Sequence, residues 1–307
     1  MAGQEGSQVV QEGDEEVDLL LRHGHVVTMD SRRRILLDGA IAVRDGRIID
    51  VGPDNELVSR FSAANVRDLG GALVQPGFID AHAHTTLDLI RGLTADHTRD
   101  WTAVETPFFG ELTPERERLS ALLACMEMVA NGVTAYADTG SSLYLDATVS
   151  AIESVGMRGI PGAFIADQPT EVEGLHTTLD EALRRLRAQL EQYPKTNETR
   201  VHCAVTLGGM GTASDELMVA AKHIADETGL PLIMHQSWGE DEVTASLEHY
   251  GRRPIEHLAD LGLLDRNVTL VHMIRVDPHE IALVAASGAR VIHCPGASIR
   301  RSMGAVR

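Results

Sequence analysis

Five histidines of this 307-residue chain stand where they could share one task. His82 and His84 close the run Gln75-Pro76-Gly77-Phe78-Ile79-Asp80-Ala81-His82-Ala83-His84, in which a Pro-Gly turn leads into a short apolar stretch. At positions i and i+2 of a β-strand two imidazoles share one face, which makes a metal clamp. An isolated His-x-His is usually a strand carrying two satisfied polar residues, but this pair has company. His235, His272 and His293 each end a later apolar run: Pro231 to His235, Val268 to His272 and Ala289 to His293. Neutral imidazoles bind a borderline divalent ion such as Zn2+ or Fe2+. Three protein ligands leave a coordination position for water, whose pKa then falls toward neutrality. The chemistry expected is attack by hydroxide on an electrophilic carbon at physiological pH.

Such a site needs strands that end together. From Phe78 onward a short buried strand followed by a helix repeats, with strands expected near 78–84, 134–140, 157–165, 200–207, 231–237, 268–274 and 289–295. Helical patterns are clearest at 115–131, 177–193, 214–228 and 277–287, and Ser214-Asp215-Glu216 and Asp277-Pro278 are suited to start helices. Alternation of this kind means parallel strands with helical crossovers. A doubly wound sheet and a (β/α)8 TIM barrel share that rhythm. Histidines at the ends of the first, fifth, sixth and seventh strands select the barrel, because closure brings those ends round a common mouth. Ahead of residue 76, β-branched runs punctuated by Asp38-Gly39, Asp45-Gly46 and Gly52-Pro53 predict hairpin turns. Residues 1–16 are expected as a disordered acidic tail, 17–75 as part of a small β domain, and 76–307 as the barrel, strands one to seven.

A formal charge of −18, with no basic cluster longer than Arg32-Arg33-Arg34, argues against nucleic acid and anionic membrane surfaces as partners. A small-molecule substrate is the expected partner. Cys125, Cys203 and Cys294 are an odd set without metal-finger spacing, which favours a reducing compartment. The acid-rich start has no basic n-region followed by an apolar run, and no stretch approaches 18 consecutive apolar residues. The expected location is the cytoplasm.

Pro-Gly-Phe-Ile-Asp-Ala-His-Ala-His, Glu127-Met128 with Asn131-Gly132-Val133-Thr134, Gly156-Met157-Arg158, His235, His272 and His293-Cys294-Pro295 together resemble the amidohydrolase superfamily. The likeness is greatest to its chlorohydrolase and aminohydrolase branch, which holds triazine hydrolases and guanine, cytosine and adenosine-type deaminases. It runs from about residue 17 to 304. The resemblance implies a metal-dependent barrel with a β-sandwich beside it. Carried over position by position, His82, His84 and His235 match metal ligands, for Zn2+ first and Fe, Mn or Co as alternatives. His272 matches the histidine facing the substrate and the metal-bound water, where it would orient hydroxide or polarise the group under attack. His293 matches a position near the substrate, and His97 lies in the connection after strand one where the family places substrate contacts.

Two departures from the family stand out. The strand-five histidine is usually followed by a proton-shuttling glutamate as His-x-x-Glu, whereas this chain reads His235-Gln236-Ser237-Trp238. Trp238 is expected in the glutamate's place at the pocket wall, and Glu242 matches a second family acid further along, taken here as catalytic. Without the shuttle, carbamates, amides or halides become better substrates than rings that need protonation. The strand-four segment Thr206 to Met210 also lacks the family's usual histidine. The second departure is that the eighth strand and its aspartate are not found after His293-Cys294-Pro295. The expectation drawn is an oligomer in which a companion chain supplies that strand; a split gene and a truncated record are weighed evenly. The overall reading is a metal-dependent hydrolase acting on carbon–nitrogen or related bonds of a small nitrogenous compound. The alternative is a non-catalytic, degenerate subunit kept for assembly or ligand binding.

Overall fold

Alternating apolar and polar residues lay down the first strands in the computed structural model, which describes residues 14–94, 102–170, 174–301 and 303–304. The chain divides into two units, Met1–Gly77 and Phe78–Arg307. In the first, β1 (Glu15–Val27), β2 (Ile35–Arg44), β3 (Arg47–Pro53), β4 (Phe61–Asp68) and β5 (Leu73–Val74) form one sheet in the order β3-β2-β1-β4, with β5 also on β1. The β1–β2 and β2–β3 pairs are antiparallel, and β4 and β5 run parallel to β1. Val17, Leu20, Ala40, Ala42, Leu57 and Phe61 pack into its core, Leu57 coming from the helix Asp54–Arg60.

Of the three predicted turns only Asp45-Gly46 is one: both residues have positive φ, 51° and 69°, as a two-residue hairpin loop between right-twisted strands requires. Asp38-Gly39 lies inside β2, where Gly39 faces Gly24 at a register shift. A Cβ on Gly39 would come within 2.9 Å of Val26 and Leu36, so this glycine serves close packing rather than a turn. Gly52-Pro53 ends β3 and leads into a helix. The predicted tail lies outside the described residues up to residue 13, but Glu15 and Glu16 already pair with Phe61 and Ser62 as the start of β1.

In the second unit a strand follows each crossover: β6 (Phe78–Asp80), β7 (Val133–Ala137), β8 (Arg158–Ile160), β9 (Val205–Gly209), β10 (Leu232–Gln236), β11 (Val268–His272) and β12 (Arg290–Ile292). Every pairing is parallel and joins sequence neighbours, as β6-β7-β8 and β9-β10-β11-β12. A bridge between Gly159 and Val201 links β8 to the residues that lead into β9, so the seven strands make one wall. The strand expected from 200 thus begins as a single bridge and becomes a ladder only at Val205.

Helices Pro114–Ala130, Leu179–Gln192, Asp215–Thr228 and Pro278–Ser287 occupy the four predicted places. Their starts are chemical: the Ser214 hydroxyl accepts from the Leu217 N–H, and Asp277 accepts from those of His279 and Glu280, ahead of Pro278. Strands β9 to β11 are almost wholly buried, as strands covered on both faces are. Their outer faces pack on helical Leu186, Leu217, Met218, Ile224 and Leu258. Each such aliphatic side chain contributes about 1.5–3 kcal/mol on burial. Ala204, Ile233 and Val271, with Ile160, Ile292 and Cys294 against them, form a separate small cluster drawn from successive strands.

The ends of the wall approach each other. Burial raises the pKa of the Cys294 thiol after β12, and the charge of Asp80 at the end of β6 adds to that shift. Arg301, after β12, donates to buried Glu105, which lies in the connection after β6, at 2.8 Å.

Candidate active site

The wall brings four of the predicted histidines to one place. His82 and His84 follow β6, while His235 lies in β10 and His272 ends β11, where Gln236 and His272 are paired. Ring centroids are 4.6 Å apart for His82–His84, 5.0 Å for His82–His235, 5.1 Å for His84–His235 and 5.2 Å for His82–His272. His235 and His272 stack at 5.3 Å and 13°. One ligand atom from each of His82, His84 and His235 lies within 4.8 Å of the other two.

Local contacts aim these rings. The His235 Nδ1 is 2.8 Å from the Gly208 carbonyl, so it carries the proton and donates there, leaving the Nε2 lone pair directed at His84. Gly208-Gly209, the segment that lacks a histidine, therefore has a function: Gly209 has φ +115° and a Cβ there would lie 2.3 Å from the His235 carbonyl oxygen. Behind His272 the backbone is strained, with φ +80° at His272, +54° at Met273 and +51° at Ser237. The amides of Ile274 and Arg275 both donate to the Ser237 carbonyl, and that of Met273 to Gln236, which locks the two strand ends together.

All three shifted imidazoles are neutral at physiological pH. Burial drives His82 and His235 far below the ordinary histidine range, and the neighbouring histidines push further in the same direction. For His235 the Gly208 carbonyl opposes the shift. His272 falls to about 4, first from burial and then from His84, Arg301 and His293.

A divalent ion fits this donor set. The Nε2 atoms of His84 and His235 are 3.1 Å apart, close to the roughly 3.3 Å expected between nitrogens bound about 2.0–2.1 Å from a tetrahedral zinc ion. Buried His82 Nδ1, His84 Nδ1 and His272 Nδ1 have no hydrogen-bond partner among the described residues.

The remaining predicted residues are placed differently. Glu242, in the first turn of the helix Glu240–Tyr250, accepts from Gln236 Nε2 and the Ser237 N–H at 2.9 Å and from the Trp238 N–H at 2.8 Å. Its carboxylate thus holds the turn after His235. Burial pushes its pKa up to about 7 against the pull of those backbone donors. Trp238 lines a cavity of about 760 Å3 with Met210, Asp215, Glu216 and Tyr250. His293 is exposed and lines an apolar groove with Met273, Val276 and Ile281. His97 lies outside the described residues.

Two residues at the centre escaped the sequence reading. Buried Asp138 lies 3.5 Å from His84 Nδ1, and the hydroxyl of buried Thr139 is 2.9 Å from His235 Nε2. The signal for them is Asp138-Thr139-Gly140-Ser141 directly after a strand, an Asx-turn sequence.

The family model described as the amidohydrolase family matches residues 73–304. A 5-methylthioadenosine/S-adenosylhomocysteine deaminase of Nitratidesulfovibrio vulgaris (strain DP4) is 33% identical over 291 residues, which are 94% of this chain and 64% of that protein. The enzyme of that name from Aquifex aeolicus (strain VF5) is 32% identical over 267 residues, 86% of this chain and 60% of its own. The chain thus spans less than two thirds of the length of these curated relatives. A crystal structure of an adenosine deaminase from Xanthomonas campestris with bound zinc superposes with a TM-score of 0.83 at 28% identity, over 95% of this chain and 66% of that one. An atrazine chlorohydrolase from Arthrobacter aurescens TC1, complexed with zinc and atraton, superposes at 0.82 with 22% identity over 94% and 68%, a likeness of fold.

Proposed function

Because the chain belongs to the amidohydrolase family, and so has a TIM-barrel-like α/β fold, we propose that it is a metal-dependent hydrolase acting on carbon–nitrogen or related bonds of small nitrogenous compounds. The observation that carries this reading is the convergence of four half-buried histidines from the ends of three strands, with lone pairs available and ring nitrogens unpartnered. The N-terminal sheet is read as part of a small β-sandwich domain.

His82, His84 and His235 would hold a divalent ion, with zinc the first candidate. When bound, the ion supplies hydroxide at neutral pH and polarises the electrophile. His272, kept neutral by its low pKa, would accept a proton from the incoming water and then hand that proton to the departing group, and its strained backbone fixes the ring in place. Glu242 acts through the turn it gathers, fixing Gln236 to Trp238 beside His235. Trp238 and the cavity behind it line the substrate approach, and His97 and His293 are kept as further substrate contacts on the family resemblance alone. The relatives' names make purine nucleosides the first substrate class to try. Since Trp238 stands where the shuttling glutamate was expected, 6-chloro and 6-methoxy compounds belong beside the 6-amino ones.

The test is metal analysis of protein prepared without chelator, together with hydrolysis assays on that panel. The expected result is about one divalent ion per chain and turnover of at least one compound. Protein that stays metal-free after reconstitution, with no turnover, would overturn the proposal.

A further inference from the structure

The loop after β7 touches the histidine centre at two points, and its conformation is fixed independently of it. Asp138 Oδ1 accepts from the N–H groups of Gly140 at 2.8 Å and Ser141 at 3.0 Å, and Oδ2 accepts from the Ser141 hydroxyl at 2.6 Å. Ser141 Oγ is also 3.2 Å from Thr86 Oγ1, in the turn of helix that directly follows His84. Gly140 has φ +98°, and a Cβ there would lie 2.8 Å from the Ala163 carbonyl oxygen, so only glycine lets the loop pass. The consequence is a buried carboxylate held in one orientation by three hydrogen bonds.

That carboxylate faces His84. The Nε2 of His84 is turned toward His235, so Nδ1 is its outward nitrogen, and Asp138 Oδ1 lies 3.5 Å from it. Nδ1 is buried and has no other partner among the described residues. Metal-binding histidines commonly present the outer N–H to such a carboxylate, which fixes the ring and raises its basicity. Next along the chain, Thr139 is buried with its hydroxyl 2.9 Å from His235 Nε2. The same hydroxyl is 3.4 Å from His235 Nδ1, so it lies over the ring and off the axis of the Nε2 lone pair, which stays open to the centre.

We propose that Asp138 is a positioning residue of the metal centre, orienting His84 from behind. The proposal rests on the reading that His82, His84 and His235 bind a divalent ion. Its test is Co2+ titration of metal-stripped protein, following affinity and the visible d–d spectrum, with melting of the metal-free protein alongside. Asp138→Asn keeps an acceptor for the turn and removes the charge. It should lower Co2+ affinity about 10- to 100-fold and shift the visible bands, with metal-free melting unchanged. Wild-type affinity and spectrum in Asp138→Asn would overturn the proposal while leaving the three-histidine reading intact. Failure of the unaltered protein to bind Co2+ would overturn both. A further measurement needs no folded variant: in Zn2+-loaded protein, NMR should show a solvent-protected, downfield His84 Nδ1 proton, and its absence counts against Asp138.

Discussion

His82, His84 and His235 at the strand ends and His23, Asp38 and Asp54 in the N-terminal sheet both bring three metal-binding atoms within 4.8 Å of one another. By spacing alone the two groups are equivalent. In the N-terminal group, however, Asp54 is buried and already bonded by Arg22 at 2.7 and 3.0 Å, and His23 Nδ1 is 3.0 Å from the exposed Asp38. The Arg22 guanidinium holds the Asp54 carboxyl below its usual range against the effect of burial. In the strand-end group burial holds His82 and His235 neutral, and the Nδ1 atoms of His82 and His84 have no hydrogen-bond partner among the described residues. The difference teaches that proximity does not make a metal site. Unspent lone pairs in a place that disfavours protons do.

The largest effect expected from this contrast concerns the metal itself. His82→Ala or His235→Ala should take bound metal from about one ion per chain to none, and hydrolysis with it, whereas His23→Ala should leave stoichiometry untouched. Elemental analysis of the three variants decides, and metal loss in His23→Ala would erase the distinction. Next comes Arg22→Ala, which strands a buried carboxylate and should destabilise the fold by about 1–3 kcal/mol without affecting metal content. Its pH signature has a definite sign. A depressed Asp54 pKa gives stability that is present above the unfolded value near 3.8 and lost as pH falls through the folded one, so the acid limb of wild-type denaturation should flatten in this variant.

Glu242 sharpens the comparison from the other side, since its pKa is raised from 4.5 to about 7. Between those values the folded state keeps a proton that the unfolded state has released. Stability therefore falls as pH rises through that window, and Glu242→Gln should remove the slope in urea midpoints measured from pH 4 to 8. The smallest structural effect is expected from Trp238→Glu. Half-buried at the cavity wall, it should change the relative rates on the substrate panel and shift stability by no more than about 0.5 kcal/mol. Unchanged ratios on every compound would remove Trp238 from the substrate path.

The sequence made the strand wall legible because buried parallel strands are nearly continuous apolar runs, and because histidines end four of the seven. Helix starts at Ser214 and Asp277 were readable for the same local reason that they form. What stayed hidden depends on contacts between distant segments. Asp138-Thr139 reads as an ordinary turn until β7 sets it against His84 and His235. Glu242 reads as a candidate acid until Gln236, Ser237 and Trp238 are seen to donate to it. Asp38-Gly39 carries a turn signature that pairing with β1 overrides.

The 151-position separation of His84 and His235 also sets an order of events during synthesis. At about 5–20 residues per second, roughly 8–30 s separate the emergence of the first two proposed ligands from that of the third. Until then the nascent chain carries two exposed imidazoles that can bind an ion only weakly. Under the proposed ligand set, metal capture follows the long-range closure of β10 onto its neighbours, the entropically slow step of a fold whose contacts are far apart in sequence. Ion availability should accordingly govern how long the finished barrel persists, more than how fast it is reached.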